Sequence, residues 1–213
     1  MSTWNIAEVE KEINDAFEAN SEVQLLKILK QNSFLFYELY SRKNGIQPNF
    51  SEISFAGEMR GDFAWLNDNS DGPEWVLIEV EKPKMKLFKQ NKEPTFELNH
   101  AIEQVKSWDR YFLNNPHEKK RIFGAVSKFR YILIAGTRED WQTENAIDWR
   151  AYHNNESKIE IRSSDTFKDA IQTAKDHFQL FWSFEENPVS LNHSMLKNYW
   201  KNYDYMNFWR KVV

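Results

Sequence analysis

Two short apolar runs, each joined to carboxylates, constrain this chain more than anything else in it. Asp62 stands beside Phe63-Ala64-Trp65, and Trp75-Val76-Leu77-Ile78 leads straight into Glu79-Val80-Glu81, then Lys82-Pro83. Runs of this length and composition read as strands, with the turn-rich Asn67-Asp68-Asn69-Ser70-Asp71-Gly72-Pro73 as their connector. Side chains alternate along a strand, so Glu79 and Glu81 face one side while Val80 and Lys82 face the other. Burying an unpaired carboxylate is costly, so acids rarely end a hydrophobic strand for stability alone. If a hairpin brings Asp62 alongside, three carboxylates converge, and a hard divalent cation is what such a group suits. The matching chemistry is metal-dependent hydrolysis, with a phosphodiester as the natural substrate. The plainer alternative is a surface hairpin whose acids pair with Lys and Arg on neighbouring strands. The residues alone leave both open.

Asp62, Glu79-x-Glu81 and a downstream helix bearing Gln104 resemble the PD-(D/E)XK nuclease superfamily. The longer run Ile78 to Pro83, then Leu87-Phe88, Ala101-Ile102-Glu103-Gln104-Val105 and Trp108, resembles the nuclease domain of Shedu-type antiphage defence proteins. The likeness continues through Tyr131-Ile132-Leu133-Ile134-Ala135-Gly136-Thr137-Arg138. It implies a restriction-endonuclease-like α/β core, a central mixed β-sheet flanked by α-helices. It also implies a Mg²⁺-dependent endonuclease (Mn²⁺ could substitute) that cuts DNA in defence against phage or plasmids. Asp62 and Glu79 would hold the metal, with the Val80 carbonyl as a further oxygen ligand. Glu81 occupies the position where the family usually has lysine, and Lys82 is shifted by one. Glu81 would orient or deprotonate the attacking water or bind a second metal, and Gln104 would face the active site. Since this fold often supplies a further acid from its N-terminal helix, Glu38 is the candidate for that role.

Composition sets the outer limits. A length of 213 residues suits one domain with a sizeable core. A formal net charge of −4 means that binding DNA requires a localised basic surface. The loop after Pro83 offers one: Lys84, Lys86 and Lys89 could clamp phosphates, or simply be solvated. Zero Cys removes disulfides and thiolate chemistry, and the five His lack paired metal-ligand spacing. The start, Met1-Ser2-Thr3-Trp4-Asn5, leads into a charged amphipathic run rather than a signal segment, and nothing resembles a membrane span. A cytoplasmic protein is expected. P-loop, dinucleotide-binding, nucleophile-elbow and HExxH patterns are absent.

The chain reads as a single domain over 1–213, with N-terminal helices in 1–40, a catalytic core over 45–140 and an aromatic C-terminal segment over 185–213. Ile6, Val9, Ile13 and Phe17 recur at helical spacing, and Ser21-x-x-Gln24 caps a second helix. Phe34 to Tyr40 is apolar on all sides and has no clear assignment. Strands are expected over Ile53–Phe55, Gly61–Leu66, Trp75–Val80, Phe129–Ala135 and Ile159–Ile161. Thr95 caps a helix that Pro116 ends. Further helices are expected over Asp140–Tyr152, Thr166–Phe184 and Leu191–Trp209. The tail's Tyr199, Trp200, Tyr203, Tyr205, Phe208 and Trp209 could stack on bases, but packing on the core or a subunit interface is favoured. A homo-oligomer is expected on that account, and a regulatory partner protein because the resemblance includes no separate sensory domain. Two other functions stay open: a catalytically inactive nuclease-fold module that binds DNA or a partner protein, and a hydrolase for another phosphorylated substrate.

Overall fold

A computed structural model describes residues 4–57 and 59–212. Residues 1–3, part of the N-terminal run discussed above, lie outside the described residues. The chain opens with α1 (Ile6–Glu18) and α2 (Glu22–Gln31), then a 3-10 helix at Ser33–Leu39. A meander follows: β1 (Asn49–Ala56), β2 (Met59–Asn69) and β3 (Gly72–Val80), paired antiparallel. Helices α3 (Phe96–Asn114) and α4 (Pro116–Phe123) cross over to β4 (Lys128–Ile134), which lies parallel to β3. Helix α5 (Glu144–Glu156) crosses to β5 (Ile159–Arg162), parallel to β4. Helix α6 (Thr166–Asp176), a second 3-10 helix (Phe178–Phe184), β6 (Leu191–Asn192), α7 (His193–Asn202) and α8 (Asp204–Trp209) complete it. The sheet is mixed, in the order β5-β4-β3-β2-β1-β6.

Strand alternation divides the apolar side chains between two cores. Phe63, Trp65, Val76, Ile78, Val80, Ile132 and Ile134 pack with α1, α2, α6 and the 3-10 helices. Ala64, Leu66, Trp75, Leu77 and Leu133 pack on the other face with α3, α4 and α7. The central strand β3 is covered on both faces, which is why it reads as a continuous apolar run. Helix starts follow their capping residues: Ser21 Oγ accepts from Gln24 N at 3.3 Å, and Thr95 Oγ1 from Leu98 N at 3.3 Å.

Several boundaries differ from expectation. The Asn67–Pro73 connector is mostly strand, because Asn67↔Glu74, Asp68↔Pro73 and Asn69↔Gly72 continue the ladder to a tight turn. Gly72 takes φ +121° there, and a Cβ would meet the Ser127 side chain. Pro116 follows α3 but also opens α4, where its missing N–H costs nothing. The helix expected over Thr166–Phe184 breaks at His177. Phe34–Tyr40 is buried 3-10 helix apart from the closing Tyr40, itself buried. The C-terminal segment splits at Tyr203, and its first two residues add an edge strand to β1. Among the described residues no helix is long and apolar enough to cross a membrane.

The aromatic tail is used inside the chain. Trp200 is buried and its indole N–H donates to Ile122 O at 2.9 Å. Tyr199 donates to Gln47 Oε1 at 2.6 Å and Tyr205 to Asn69 O at 2.6 Å. Tyr199, Tyr203, Tyr205 and Trp209 pack partly buried against the core, leaving Phe208 exposed. Rings committed in this way are not a base-stacking platform, and they give no separate reason to expect an interface.

Candidate functional site

The β2–β3 ladder pairs Phe63 with Ile78, and Asp62 and Glu79 lie one step beyond that rung. Phe63 and Ile78 face the α6 side, so alternation turns Asp62 and Glu79 toward α3. Beyond this rung β2 stays paired with β1 and β3 with β4, and a side-chain contact links β2 to β3. Asp62 Oδ2 accepts from Val80 N at 2.9 Å, while Glu81 N donates to Ile134 O at 2.9 Å. Gln104 of α3 donates its side-chain amide to Glu79 Oε1. Glu79 is only 8% exposed, and its other oxygen, Oε2, is buried with no protein partner.

Such an arrangement strains ionisation. Burial pushes the Asp62 carboxyl up from 3.8 to about 6; the Val80 N–H pulls it back and Glu22 adds to the rise. Burial, then Asp62 and Glu81, push Glu79 well above the ordinary carboxylate range. Glu81 goes up from 4.5 to about 7, through burial first and then Glu22 and Asp62. Arg60 pulls Asp62 and Glu79 back down, and Lys82 does so for Glu81. The cluster therefore disfavours ionisation of its own carboxyls, and the protein's cations only partly offset this.

A pH dependence follows. A carboxyl whose pKa rises on folding holds its proton more tightly in the folded state. Folding is then most favourable below the unfolded value, and stability falls as pH rises from there to the folded value. For Asp62 that window runs from 3.8 to about 6, and for Glu81 from 4.5 to about 7. In chelator, the thermal midpoint is expected to fall across that interval, and an Asp62→Asn, Glu81→Gln double variant to flatten the fall. Parallel profiles for the variant and the wild type would place the dependence elsewhere in the molecule.

The structure brings together Asp62, Glu79, Glu81 and Gln104 but moves two other residues. Glu38, the candidate N-terminal acid, accepts from Thr173 Oγ1 at 3.1 Å and lines a different cleft. The acid that reaches this cluster is Glu22, at the first position of α2, which raises the pKa of all three others. Its sequence signal was hidden, because an acid in a helix's first turn is already accounted for by the helix dipole. Lys82 was expected to leave from the opposite face. Instead β3 ends at Val80, and Lys82 Nζ reaches Glu97 Oε1 at 3.3 Å, at the start of α3 on the Glu79 side. In the following loop Met85 and Leu87 are buried, which holds Lys84 and Lys86 outward. Lys84 N donates to Asn20 Oδ1 at 2.7 Å, and Lys89 pairs with Glu93 at 3.4 Å.

Residues 19–167 match the family described as Shedu protein SduA, C-terminal. That span is more than two-thirds of the chain and contains Glu22, Asp62, Glu79, Glu81, Gln104 and the basic loop. The chain belongs to this family. Shedu membership points to antiphage defence. The Shedu match ends at the start of α6, so the second 3-10 helix, α7 and α8 lie beyond it. No curated protein matches the chain.

Proposed function

We propose that this Shedu domain is a Mg²⁺-dependent DNA endonuclease of the PD-(D/E)XK kind, acting against phage or plasmid DNA. The observation that carries the reading is Glu79, with one oxygen held by Gln104 and the other buried without a partner beside two more carboxylates. A buried acceptor in that state calls for a cation, and an all-oxygen donor set suits a hard one. Among the described residues no group of three or more His, Asp or Glu is placed to enclose a metal. Mg²⁺ needs no such cage, since it keeps several waters beside one or two carboxylates. Asp62 and Glu79 would hold it, with the Val80 carbonyl as a further oxygen ligand; Mn²⁺ would serve in the same place.

A bound divalent cation supplies acidified water and neutralisation of charge on the phosphoryl oxygens. The chain's own residues do the rest. Gln104 fixes the Glu79 carboxylate, and the Val80 N–H fixes Asp62. Glu81, with its pKa pushed up to about 7, is matched to accepting a proton from water near neutral pH. Lys82 stands close enough to influence Glu81 and can stabilise developing negative charge. Lys84, Lys86 and Lys89, exposed on the following loop, would serve as phosphate contacts. A second reading, an inactive module that binds DNA or a partner protein, is favoured by Glu81 in the family's usual lysine position.

Plasmid nicking with and without Mg²⁺ or Mn²⁺ separates the two. Cleavage is expected only with the metal, lowered severely by Glu81→Ala and less by Glu81→Lys. Lys82→Ala should cost less than Glu81→Ala; the reverse order would transfer the lysine role to Lys82. No cleavage with either metal, alongside intact DNA binding, would favour the inactive module. For the loop, a Lys84, Lys86, Lys89 triple alanine variant should weaken DNA binding and flatten the log–log salt slope by about 0.9 per lost phosphate contact. An unchanged slope would make these lysines solvated bystanders.

A further inference from the structure

A cleft of about 340 Å³ opens where the ends of β4 and β5 meet α5 and α6. Its lining carries three guanidinium groups, Arg138, Arg150 and Arg162, against two carboxylates, Glu38 and Asp169. Those charges are unevenly paired. Arg138 Nη2 donates to both Asp169 oxygens, at 2.8 and 2.6 Å. Arg162 is tied to Glu160, which Arg130 also holds. Glu38 accepts from the Thr173 hydroxyl.

Arg150 stands apart from these pairs. Among the described residues its guanidinium has neither an acid partner nor a hydrogen-bond acceptor. It rests on the Trp141 indole, 5.0 Å from the ring centroid. Trp141 is itself fixed, being buried with its N–H donating to Ala135 O at 2.7 Å. Burial first, and then Arg162, pull the Arg150 pKa below its ordinary value. An arginine at a surface with no task extends into water; this one is held by an aromatic face in a concave wall, with its donors unused.

Two guanidiniums that disfavour each other, with a third nearby, are best reconciled by an anion placed between them. A carboxylate offers two oxygens and a single charge. The lining presents guanidinium forks from α5, from the turn after β4 and from the end of β5, together with the Ser163 and Thr166 hydroxyls. A tetrahedral dianion can take donors from several of these groups at once, and the arginine fork matches its oxygens in pairs. We propose that the cleft formed by Arg138, Arg150 and Arg162 is a phosphate-binding site. The phosphoryl group comes either from a small phosphorylated ligand or from a nucleic-acid backbone. The site involves none of the carboxylates on β2 and β3 and does not depend on the nuclease reading.

Titrating inorganic phosphate into the chelator-treated full chain at constant ionic strength, followed by calorimetry, tests this without turnover. Saturable binding is expected, weakened at least about tenfold in Arg150→Gln, the loss of roughly one charge-assisted hydrogen bond. Lys201→Gln, an equal loss of charge on the exposed side of α7, should leave it unchanged. Glu38→Gln removes a competing carboxylate from an exposed position and should tighten binding even if Arg150→Gln folds poorly. A nucleoside monophosphate that displaces phosphate where a duplex without terminal phosphates does not assigns the group to a small ligand. Displacement by that duplex assigns it to the backbone. No saturable binding up to about 10 mM overturns the proposal, an affinity too weak to occupy the cleft. Binding unaltered in both Arg150→Gln and Glu38→Gln overturns it as well.

Discussion

Asp62→Ala and Glu79→Ala are each expected to reduce DNA cleavage to background while leaving the fold intact. Both side chains lie just beyond the Phe63–Ile78 rung and belong to neither hydrophobic core, so their loss opens no hole in either. Removing Glu79 also removes a buried carboxyl whose Oε2 has no partner, so the metal-free variant should melt at or above the wild-type temperature. Gln104→Ala keeps the carboxylates but releases Glu79, and a loss of about 10–100-fold is expected, the usual cost of removing a group that orients a metal ligand. Circular dichroism, melting temperature and plasmid nicking in one set of variants check all three. Wild-type cleavage persisting in excess EDTA, or near-normal cleavage by Glu79→Ala, would remove the metal mechanism.

Trp200→Ala is expected to lower the unfolding free energy by about 3–5 kcal/mol, the usual range for deleting a large buried aromatic. The indole fills the space above Gly124, donates to Ile122 O and lies under the Arg210 guanidinium at 4.7 Å. Gly124 takes φ +80°, and a Cβ there would come within 2.8 Å of the Trp200 ring, so backbone and ring are fitted to each other. A shift in urea midpoint at unchanged slope would show that α7 and α8 belong to the cooperative fold. A negligible shift would mean that they are an appended segment.

Local pattern was enough for much of this. Alternation placed Asp62 and Glu79 on one face, because a strand's period is fixed by its backbone wherever it stays paired. Ser21 and Thr95 announced the starts of α2 and α3, because a cap is satisfied within one turn. The spacing of Leu98, Ala101, Ile102, Val105, Trp108 and Phe112 gave the buried face of α3, and with it the side on which Gln104 meets Glu79.

What failed lay where chain direction or distant partners decide. Lys82 follows the last paired residue of β3, so strand alternation no longer governs it, and Glu97 on α3 takes its side chain. Glu38 and Glu22 both follow ordinary helical patterns. Only the packing of α2 against the sheet put Glu22 beside the acids and left Glu38 with Thr173. The tail's rings gave no hint of whether they would face solvent, a partner or their own core, and hydrogen bonds to Gln47, Asn69 and Ile122 settled that across long sequence separations. Arg138, Arg150 and Arg162 lie in the turn after β4, on α5 and at the end of β5, and carry no common motif; the crossovers that make β3, β4 and β5 parallel collect them into one cleft. By itself the sequence determined the strands, the caps and the face on which the acids lie, since each rests on contacts within a few residues. Tertiary structure alone decided which charges share a site, because burial and charge–charge distance are properties of the packed chain.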